Sequence, residues 1–143
     1  MKLNVLSTLT LLAPVLLAVP AQAENPAEVE QLLRTGACAG CDLRGANLAG
    51  AHLIGADLRS ANLQNANLSY ANLEGADLTG ANLTGANLTD VFATNATFTR
   101  ADLTSANFTN AIVYSADTQG AVLTGINLTG AQTSGSGISI GGD

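Results

Sequence analysis

Leucine or phenylalanine recurs at nearly every fifth position through most of the chain, beginning at Leu43. A small residue stands two places before each of these positions, and Asn or Asp usually stands one place before it. An amphipathic helix repeats its apolar residues every three or four positions, and a half-buried strand repeats them every second position. A period of five fits neither pattern. It predicts a turn in every repeat and a chain that coils, with stacked coils burying the leucines.

The repeats are close copies of one another: Ala46–Gly50 reads ANLAG, Ala56–Ser60 reads ADLRS and Ala61–Asn65 reads ANLQN. They resemble the pentapeptide-repeat family, whose pattern is Ala, then Asn or Asp, then Leu and two variable residues. The resemblance covers about one hundred of the 143 residues. It implies an all-β fold, a right-handed quadrilateral parallel β-helix with four repeats in each coil. On this basis the twenty repeats of residues 36–135 form a solenoid of about five coils.

Four repeats per coil place residues twenty apart in one column. One outward column consists of asparagines only: Asn47, Asn67, Asn87, Asn107 and Asn127. Their amides are expected to hydrogen-bond from coil to coil. Inside, we expect Phe98 and Phe108 to face each other beside the small Ala93, as close packing requires. Asp57 and Asp77 would repel each other one coil apart; a solvated face is favoured over a weak calcium site, for which oxygen ligands are few.

The N-terminal segment has the pattern of a secretory leader, predicted as a signal peptide of residues 1–23. Lys2 gives the positive end, Leu3–Val19 is an apolar run, and Ala21–Ala23 reads AQA, a small-residue cleavage site. An uncleaved membrane anchor is the alternative, because the run is nearly long enough to span a bilayer. Cleavage predicts a mature protein that begins at Glu24 and has no membrane contact. It would reside in the periplasm, the thylakoid lumen or the extracellular space.

A short N-terminal capping α-helix is predicted for residues 24–35, with Asn25 as its N-cap and Gly36 at its end. Three apolar residues on one stripe are expected to cover the open end of the stack, whose backbone edge is otherwise unpaired. They are Val29, Leu32 and Leu33. After the repeats, residues 136–143 are rich in Gly and Ser. They are predicted to form a flexible C-terminal tail, with a short final strand as the alternative.

Cys38 and Cys41 are the only two cysteines. In an exported protein such a pair is most simply a disulfide, and both positions are expected to point inward at the joint between the helix and the first coil. A redox site of the thioredoxin type is the alternative, although its βαβ surroundings are lacking. His52 is the sole histidine and Asp42 follows Cys41, so neither a zinc site nor a haem attachment is indicated. No cofactor and no metal is predicted.

One of the four predicted faces carries apolar residues at positions where the other faces are polar. Outward positions elsewhere hold Asn, Asp, Thr, Ser, Gln or Arg almost throughout. The fourth face instead carries apolar and aromatic residues and the histidine: His52, Ile54, Phe92, Ile112 and Tyr114. A clustered apolar patch on a polar rod is typical of a binding surface, and it predicts an unidentified protein partner. A local bulge, or side chains folded back over Ala93, is the alternative.

The charge balance is acidic, with eleven Asp plus Glu against five Lys plus Arg, which argues against nucleic-acid binding. The chain has no Ser-His-Asp set, phosphate loop or metal cluster, and a filled β-helix leaves no interior cavity, so it is not predicted to be an enzyme. The predicted function is an exported structural or protein-interaction module of undetermined oligomeric state. One alternative is acidic DNA mimicry, because some family members inhibit DNA gyrase. Another is ice or surface binding through the stacked Asn-x-Thr repeats at 87–89, 107–109 and 127–129.

Overall fold

The computed structural model describes residues 25–138. The predicted signal peptide and residues 139–143 of the predicted tail lie outside this range. Within it, the chain has one α-helix, α1, Pro26–Thr35, followed by a series of isolated parallel β-bridges. Each bridge joins two residues that are twenty apart in the sequence. No helix in this range is both long enough and apolar enough to cross a membrane.

Four bridge positions in every twenty residues give the coil four sides, which we number in chain order. Face 1 is bridged through Ala37, Asp57, Asp77, Thr97 and Asp117. Face 2 is bridged through Asp42, Asn62, Asn82, Asp102 and Val122. Face 3 is bridged through Asn47, Asn67, Asn87, Asn107 and Asn127, and face 4 through His52, Asn72, Phe92, Ile112 and Gln132.

Each face consists of single-residue bridges rather than continuous strands, because a turn follows every bridge. The fifth residue of every repeat lies in the left-handed region, with φ between 53° and 73°. The next amide then closes the turn; for example, Ala46 N–H donates to the Leu43 carbonyl over 3.1 Å. Gly, which has no Cβ, takes this conformation without strain and fills most of these positions, such as Gly55. The five-residue period seen in the sequence is therefore the period of the turn.

The core is a set of columns of buried leucines and alanines, with two phenylalanines in one coil. Phe98 on face 1 and Phe108 on face 3 meet across the interior, edge to face, with ring centroids 6.0 Å apart and planes at 76°. Ala93, five residues before Phe98, is fully buried. The predicted facing of the two phenylalanines is confirmed. The interior is filled by side chains, so the fold presents its chemistry only on its outer faces and ends.

Helix α1 covers part of the open edge of the first coil. Leu32 is buried against the stack and Val29 is partly buried. The Glu28 carboxylate accepts the Asp42 N–H, and Gln31 Nε2 donates to the Ala37 carbonyl over 2.7 Å. These two contacts satisfy backbone groups that have no preceding coil to pair with.

Two details of α1 differ from the expectation. Leu33 does not pack on the stack but is 53% exposed, because it is rotated about 100° around the helix from Leu32. Asn25 stands at the N-cap, yet its side chain makes no capping hydrogen bond. Its carbonyl accepts the amides of Glu28 and Val29 instead. Gly36 ends the helix with φ 69°, and its N–H donates to the Leu32 carbonyl.

The two cysteines form a disulfide, with Cys38 Sγ and Cys41 Sγ 2.04 Å apart. Both residues are buried, and Cys38 Sγ also lies 3.4 Å from the Glu28 carbonyl oxygen of α1. This oxygen contact is packing, since a disulfide sulfur has no proton to donate. The bridge therefore lies at the junction of the helix and the first coil.

At the other end, the packed part of the chain reaches further than the sequence boundary at residue 135. Ser136 and Ile138, expected in a flexible tail, are both buried. Thr118 Oγ1 donates to the Ser136 carbonyl over 2.8 Å, and Ser136 Oγ donates to the Thr133 carbonyl over 2.6 Å. These contacts hold the end of the described chain against the last coil.

Candidate functional site

Face 4 is regular in its backbone. Phe92 N–H donates to the Ala71 carbonyl over 3.0 Å, and Ala93 N–H donates to the Ile112 carbonyl over 2.8 Å. The bridges pass from Asn72 through Phe92 to Ile112 without interruption, so there is no bulge here. The Phe92 side chain is 50% exposed and does not fold back into the core. The alternative explanations of the apolar residues on this face are therefore not what the structure shows.

The five residues of the predicted patch fall into two groups. His52 and Ile54 lie on the first coil and are exposed, whereas Phe92 lies on the third coil and Ile112 and Tyr114 on the fourth. The second coil separates the groups with two polar residues, Asn72 and Glu74. At about 4.8 Å per coil, the first and third coils are about 10 Å apart. Phe92, Ile112 and Tyr114 therefore form the contiguous part of the patch.

Tyr114 is held in place by its hydroxyl. The phenol O–H donates to Gln132 Oε1, on the bridge position of the next coil of face 4. This contact joins Tyr114, two residues after the half-buried Ile112, to the next coil of the same face. The ring remains 36% exposed. Phe92 and Tyr114 thus present aromatic surface from fixed positions on a rigid backbone.

Sequence reasoning missed Tyr70, the most exposed large apolar side chain of the described residues, at 65%. It occupies the fifth position of its repeat, at the corner where face 3 turns into face 4. At that position the other described repeats carry Gly, Ser, Asn, Asp or Arg. A scan of fifth positions would have singled out this tyrosine. Outward side chains were expected at the second and fourth positions of each repeat, so a tyrosine at a fifth position was not predicted.

The charges on face 4 are acidic and unpaired. Glu74 is exposed on the second coil and Asp90 is half-buried at the corner before Phe92. Among residues 25–138, neither carboxylate forms an ion pair. Face 4 and its two corners hold no Lys or Arg. On faces 2 and 1, Asp42 and Asp57 each bind an arginine two residues further along the chain, whereas Asp102 and Asp117 form no ion pair within residues 25–138.

On face 1, where a solvated pair of stacked aspartates was predicted, Arg59 supplies a positive charge beside both of them. Its Nε and Nη2 donate to the Asp57 carboxylate over 2.8 and 2.7 Å. The same Nε lies 3.8 Å from Asp77 Oδ2 on the next coil. One guanidinium therefore screens both carboxylates from each other. No group of three or more metal-ligating side chains occurs in the range that the structure describes.

The contact with Arg59 is expected to lower the pKa of Asp57, which a titration can test. The hydrogen bonds from the guanidinium lower the pKa of Asp57 from 3.8 to about 2. A carboxyl group with a depressed folded pKa adds stability that is complete above its unfolded pKa and is lost as the pH falls through its folded pKa. We therefore expect an NMR titration midpoint near 2 for the Asp57 carboxyl carbon. Arg59→Gln should raise the midpoint toward 3.8, and an unchanged midpoint would contradict the pairing.

The asparagine column of face 3 is hydrogen-bonded throughout, but by two patterns. Asn67 Nδ2 donates to Asn47 Oδ1 and Asn87 Nδ2 donates to Asn67 Oδ1, as expected for an amide ladder. Further along, Asn107 Nδ2 donates to Thr89 Oγ1 over 3.1 Å instead. The threonine hydroxyl donates to its own asparagine and offers its oxygen to the next coil. The threonines of this face are thereby engaged within the rod.

Two sequence segments, residues 41–80 and 76–113, match the family model of pentapeptide repeats, in eight copies. The chain belongs to the pentapeptide-repeat family. Membership implies a right-handed quadrilateral β-helix, and the twenty-residue bridge spacing agrees with four repeats per coil. No curated protein sequence is significantly similar to the chain.

Solved structures of this family resemble the chain. A pentapeptide repeat protein from the thylakoid lumen of Arabidopsis thaliana, AT2G44920, is 38% identical, with a TM-score of 0.64, over 65% of each chain. Rfr23 from the cyanobacterium Cyanothece 51142 is 27% identical, with a TM-score of 0.48, over 76% of this chain and 94% of its own. QnrB1, a plasmid-mediated fluoroquinolone resistance protein, is 21% identical with a TM-score of 0.45 over 67% of this chain and 62% of its own, too distant to indicate a function.

Proposed function

We propose that this pentapeptide-repeat protein is an exported, non-enzymatic protein-interaction module that docks a partner on face 4. The observation that carries the proposal is the contiguous group on face 4 of two exposed aromatic residues, Phe92 and Tyr114, and the half-buried Ile112. Exposed apolar clusters of this kind on soluble proteins are typical of interaction sites. The filled interior leaves the outer faces as the surfaces on which the described part of the chain can act.

The side chains of the other faces are largely occupied by contacts within the rod. On face 2, Asn62 Oδ1 accepts the Gln64 amide over 3.2 Å, and Asn82 Oδ1 accepts the Thr84 amide over 3.0 Å. Face 3 repeats this bond and adds the threonine hydroxyls. Phe92 and Ile112 have no such local role to fill. Their exposure is therefore better explained by an external contact than by the stability of the coil.

Export is supported by three features of different kinds. The first 23 residues have the charge and apolar pattern of a signal peptide, ending in Ala21–Ala23. The solved relative from Arabidopsis thaliana comes from the thylakoid lumen. The disulfide between Cys38 and Cys41 is of a kind typical of an oxidising compartment. We propose a non-cytoplasmic location and a right-handed coil, as in the family.

The two alternative functions gain no support from the geometry. Ice or surface binding would need free hydroxyls, yet Thr89 and Thr109 each donate to their own asparagine and accept from the next one. DNA mimicry would need an array of uncompensated carboxylates. On face 1 the guanidinium of Arg59 lies against both Asp57 and Asp77. The interaction module therefore remains the proposed function.

The test compares partner capture by the unmodified protein, by a face 4 variant and by a control variant with the same added charge. The variant Phe92→Asp with Ile112→Asp places two carboxylates on adjacent coils of face 4, and we expect it to lose partner capture about tenfold or more. The measurement is quantitative cross-linking from native exported fractions, followed by reconstitution with the purified captured protein. Asn62→Asp with Asn82→Asp adds the same two charges on adjacent coils of face 2 and serves as the control. Equal binding by the unmodified protein and both folded variants would contradict the proposal.

A further inference from the structure

Three exposed aromatic side chains cross face 4 along one diagonal, which we call the aromatic stripe: Tyr70, Phe92 and Tyr114. Successive members are twenty-two residues apart, whereas one coil takes twenty residues. Each step therefore moves one coil along the rod and two residues across the face. With a rise of about 3.3 Å per residue and about 4.8 Å per coil, the step is about 8 Å. The stripe contains every exposed Phe and Tyr among residues 25–138.

Tyr70 holds its place in the stripe against its own backbone preference. Its φ is 59°, in the left-handed region, where a bulky residue other than Gly or Asn is strained. The side chain is 65% exposed, so little burial offsets the strain. Strained backbone positions of this kind cluster at functional sites. Every fifth position of the repeats has this conformation, so what distinguishes Tyr70 is an exposed aromatic ring where the other described repeats carry Gly, Ser, Asn, Asp or Arg.

Two unpaired carboxylates lie beside the middle of the stripe, on opposite sides of Phe92. Asp90 precedes Phe92 by two residues on the same coil, and Glu74 lies one coil earlier at the other edge of the face. Neither forms an ion pair within residues 25–138, and no Lys or Arg is present on this face. The aromatic stripe is therefore flanked by negative charge without an internal counter-ion.

We propose that the aromatic stripe binds an arginine-containing basic segment of the partner protein. A guanidinium stacks on aromatic rings and at the same time donates hydrogen bonds to a carboxylate, so it is complementary to both features of this surface. Alternate residues of an extended segment recur about every 6.6–6.8 Å, near the 8 Å step of the stripe. Long arginine side chains span the difference, so that one arginine can meet each ring. This inference rests on the proposed function and specifies the chemistry of its partner.

The probe is a fluorescein-labelled peptide with three arginines at alternate positions separated by threonines, compared with the same peptide carrying lysines. Binding to the full chain is measured by fluorescence anisotropy at low and at physiological salt. We expect the arginine peptide to bind about fivefold more tightly than the lysine peptide, because ammonium groups stack less well and bind carboxylates at one point. Its affinity should fall as salt screens the two carboxylates.

Three variants locate the binding. Glu74→Gln with Asp90→Asn should weaken arginine-peptide binding about threefold to tenfold at low salt and flatten its salt dependence. Asp102→Asn with Asp117→Asn removes the same two charges from faces 2 and 1 and should have a smaller effect. Tyr70→Asn should weaken binding about fivefold and yet raise the melting temperature, because Asn tolerates the left-handed conformation. A tyrosine with a purely structural role would not move these two quantities in opposite directions.

Several results would overturn the inference. One is equal binding of the arginine and lysine peptides. Another is an equal loss of arginine-peptide binding in the Asp102→Asn, Asp117→Asn control. A third is that neither peptide binds while a neutral oligosaccharide, cellohexaose, binds in a way that depends on the three rings. If capture of the native partner still depends on Phe92 and Ile112 in such a case, face 4 docks a partner of different chemistry and the proposed function stands. If that capture is also independent of Phe92 and Ile112, both proposals fail.

Discussion

Replacing Phe98 by alanine is expected to lower the free energy of unfolding by about 3–5 kcal/mol. Phe98 is fully buried and meets Phe108 edge to face across the middle of the rod. Its removal leaves a cavity that the neighbouring coils cannot close, because every coil is tied to the next by two backbone hydrogen bonds at each bridge. The measurement is urea denaturation followed by far-UV circular dichroism.

Two controls separate the cavity from the loss of an aromatic residue. Phe92→Ala makes the same substitution on the surface, at a side chain that is half exposed, and should cost about 1 kcal/mol or less. Phe98→Leu restores the residue found in the same column at Leu58 and Leu78, so its cost should stay below about 1.5 kcal/mol. Equal losses for the two alanine variants would mean that the rod is not closely packed around Phe98.

Replacing Ala93 by leucine is expected to lower the free energy of unfolding by about 1–3 kcal/mol through overpacking. Ala93 is the small inward residue directly before Phe98 in the series of repeat centres, and it has no exposed surface. Leu53 and Leu73 occupy the corresponding positions of the two preceding coils. There the inward residues of the adjacent repeats are leucines rather than phenylalanines. The same denaturation experiment measures the loss.

The matched control places the same substitution on the surface. Ala49 is exposed at the fourth position of its repeat, so Ala49→Leu should change the free energy of unfolding by no more than about 0.5 kcal/mol. Adding Phe98→Leu to Ala93→Leu should recover part of the lost free energy of unfolding, because the stability effects of substitutions at neighbouring core residues are not additive. An unchanged melting temperature for Ala93→Leu alone would show that the columns have been assigned wrongly.

The sequence was sufficient to predict the coil and its columns. A period of five residues, with Leu or Phe at the centre, predicts a coil that buries every leucine. The resemblance to the pentapeptide-repeat family implied four repeats per coil, which places residues twenty apart in one column. For this reason the positions of Phe98, Phe108 and Ala93 were predicted correctly from the sequence, as was the asparagine column. The pairing of Cys38 with Cys41 followed from their number and spacing, without any knowledge of the contacts around them.

Contacts made by flexible side chains could not be predicted in this way. Arg59 reaches both Asp57 and Asp77 because its long side chain folds back along face 1, a rotamer choice that the repeat pattern does not specify. Leu33 was expected on the stack and is exposed, because the direction of α1 determines which side of the helix faces the first coil.

The sequence by itself determined the repeat, the family, the inward and outward positions and the acidic balance of this protein, because a strict period leaves the backbone almost no alternative. Only the tertiary structure decided which outward side chains are exposed and what they contact. It left Leu33 and Tyr70 exposed, joined Tyr114 to Gln132, and placed Arg59 against both Asp57 and Asp77. The physical reason is that the repeat period determines the backbone, whereas the rotamers of long side chains and the direction of α1 depend on contacts between residues distant in the chain.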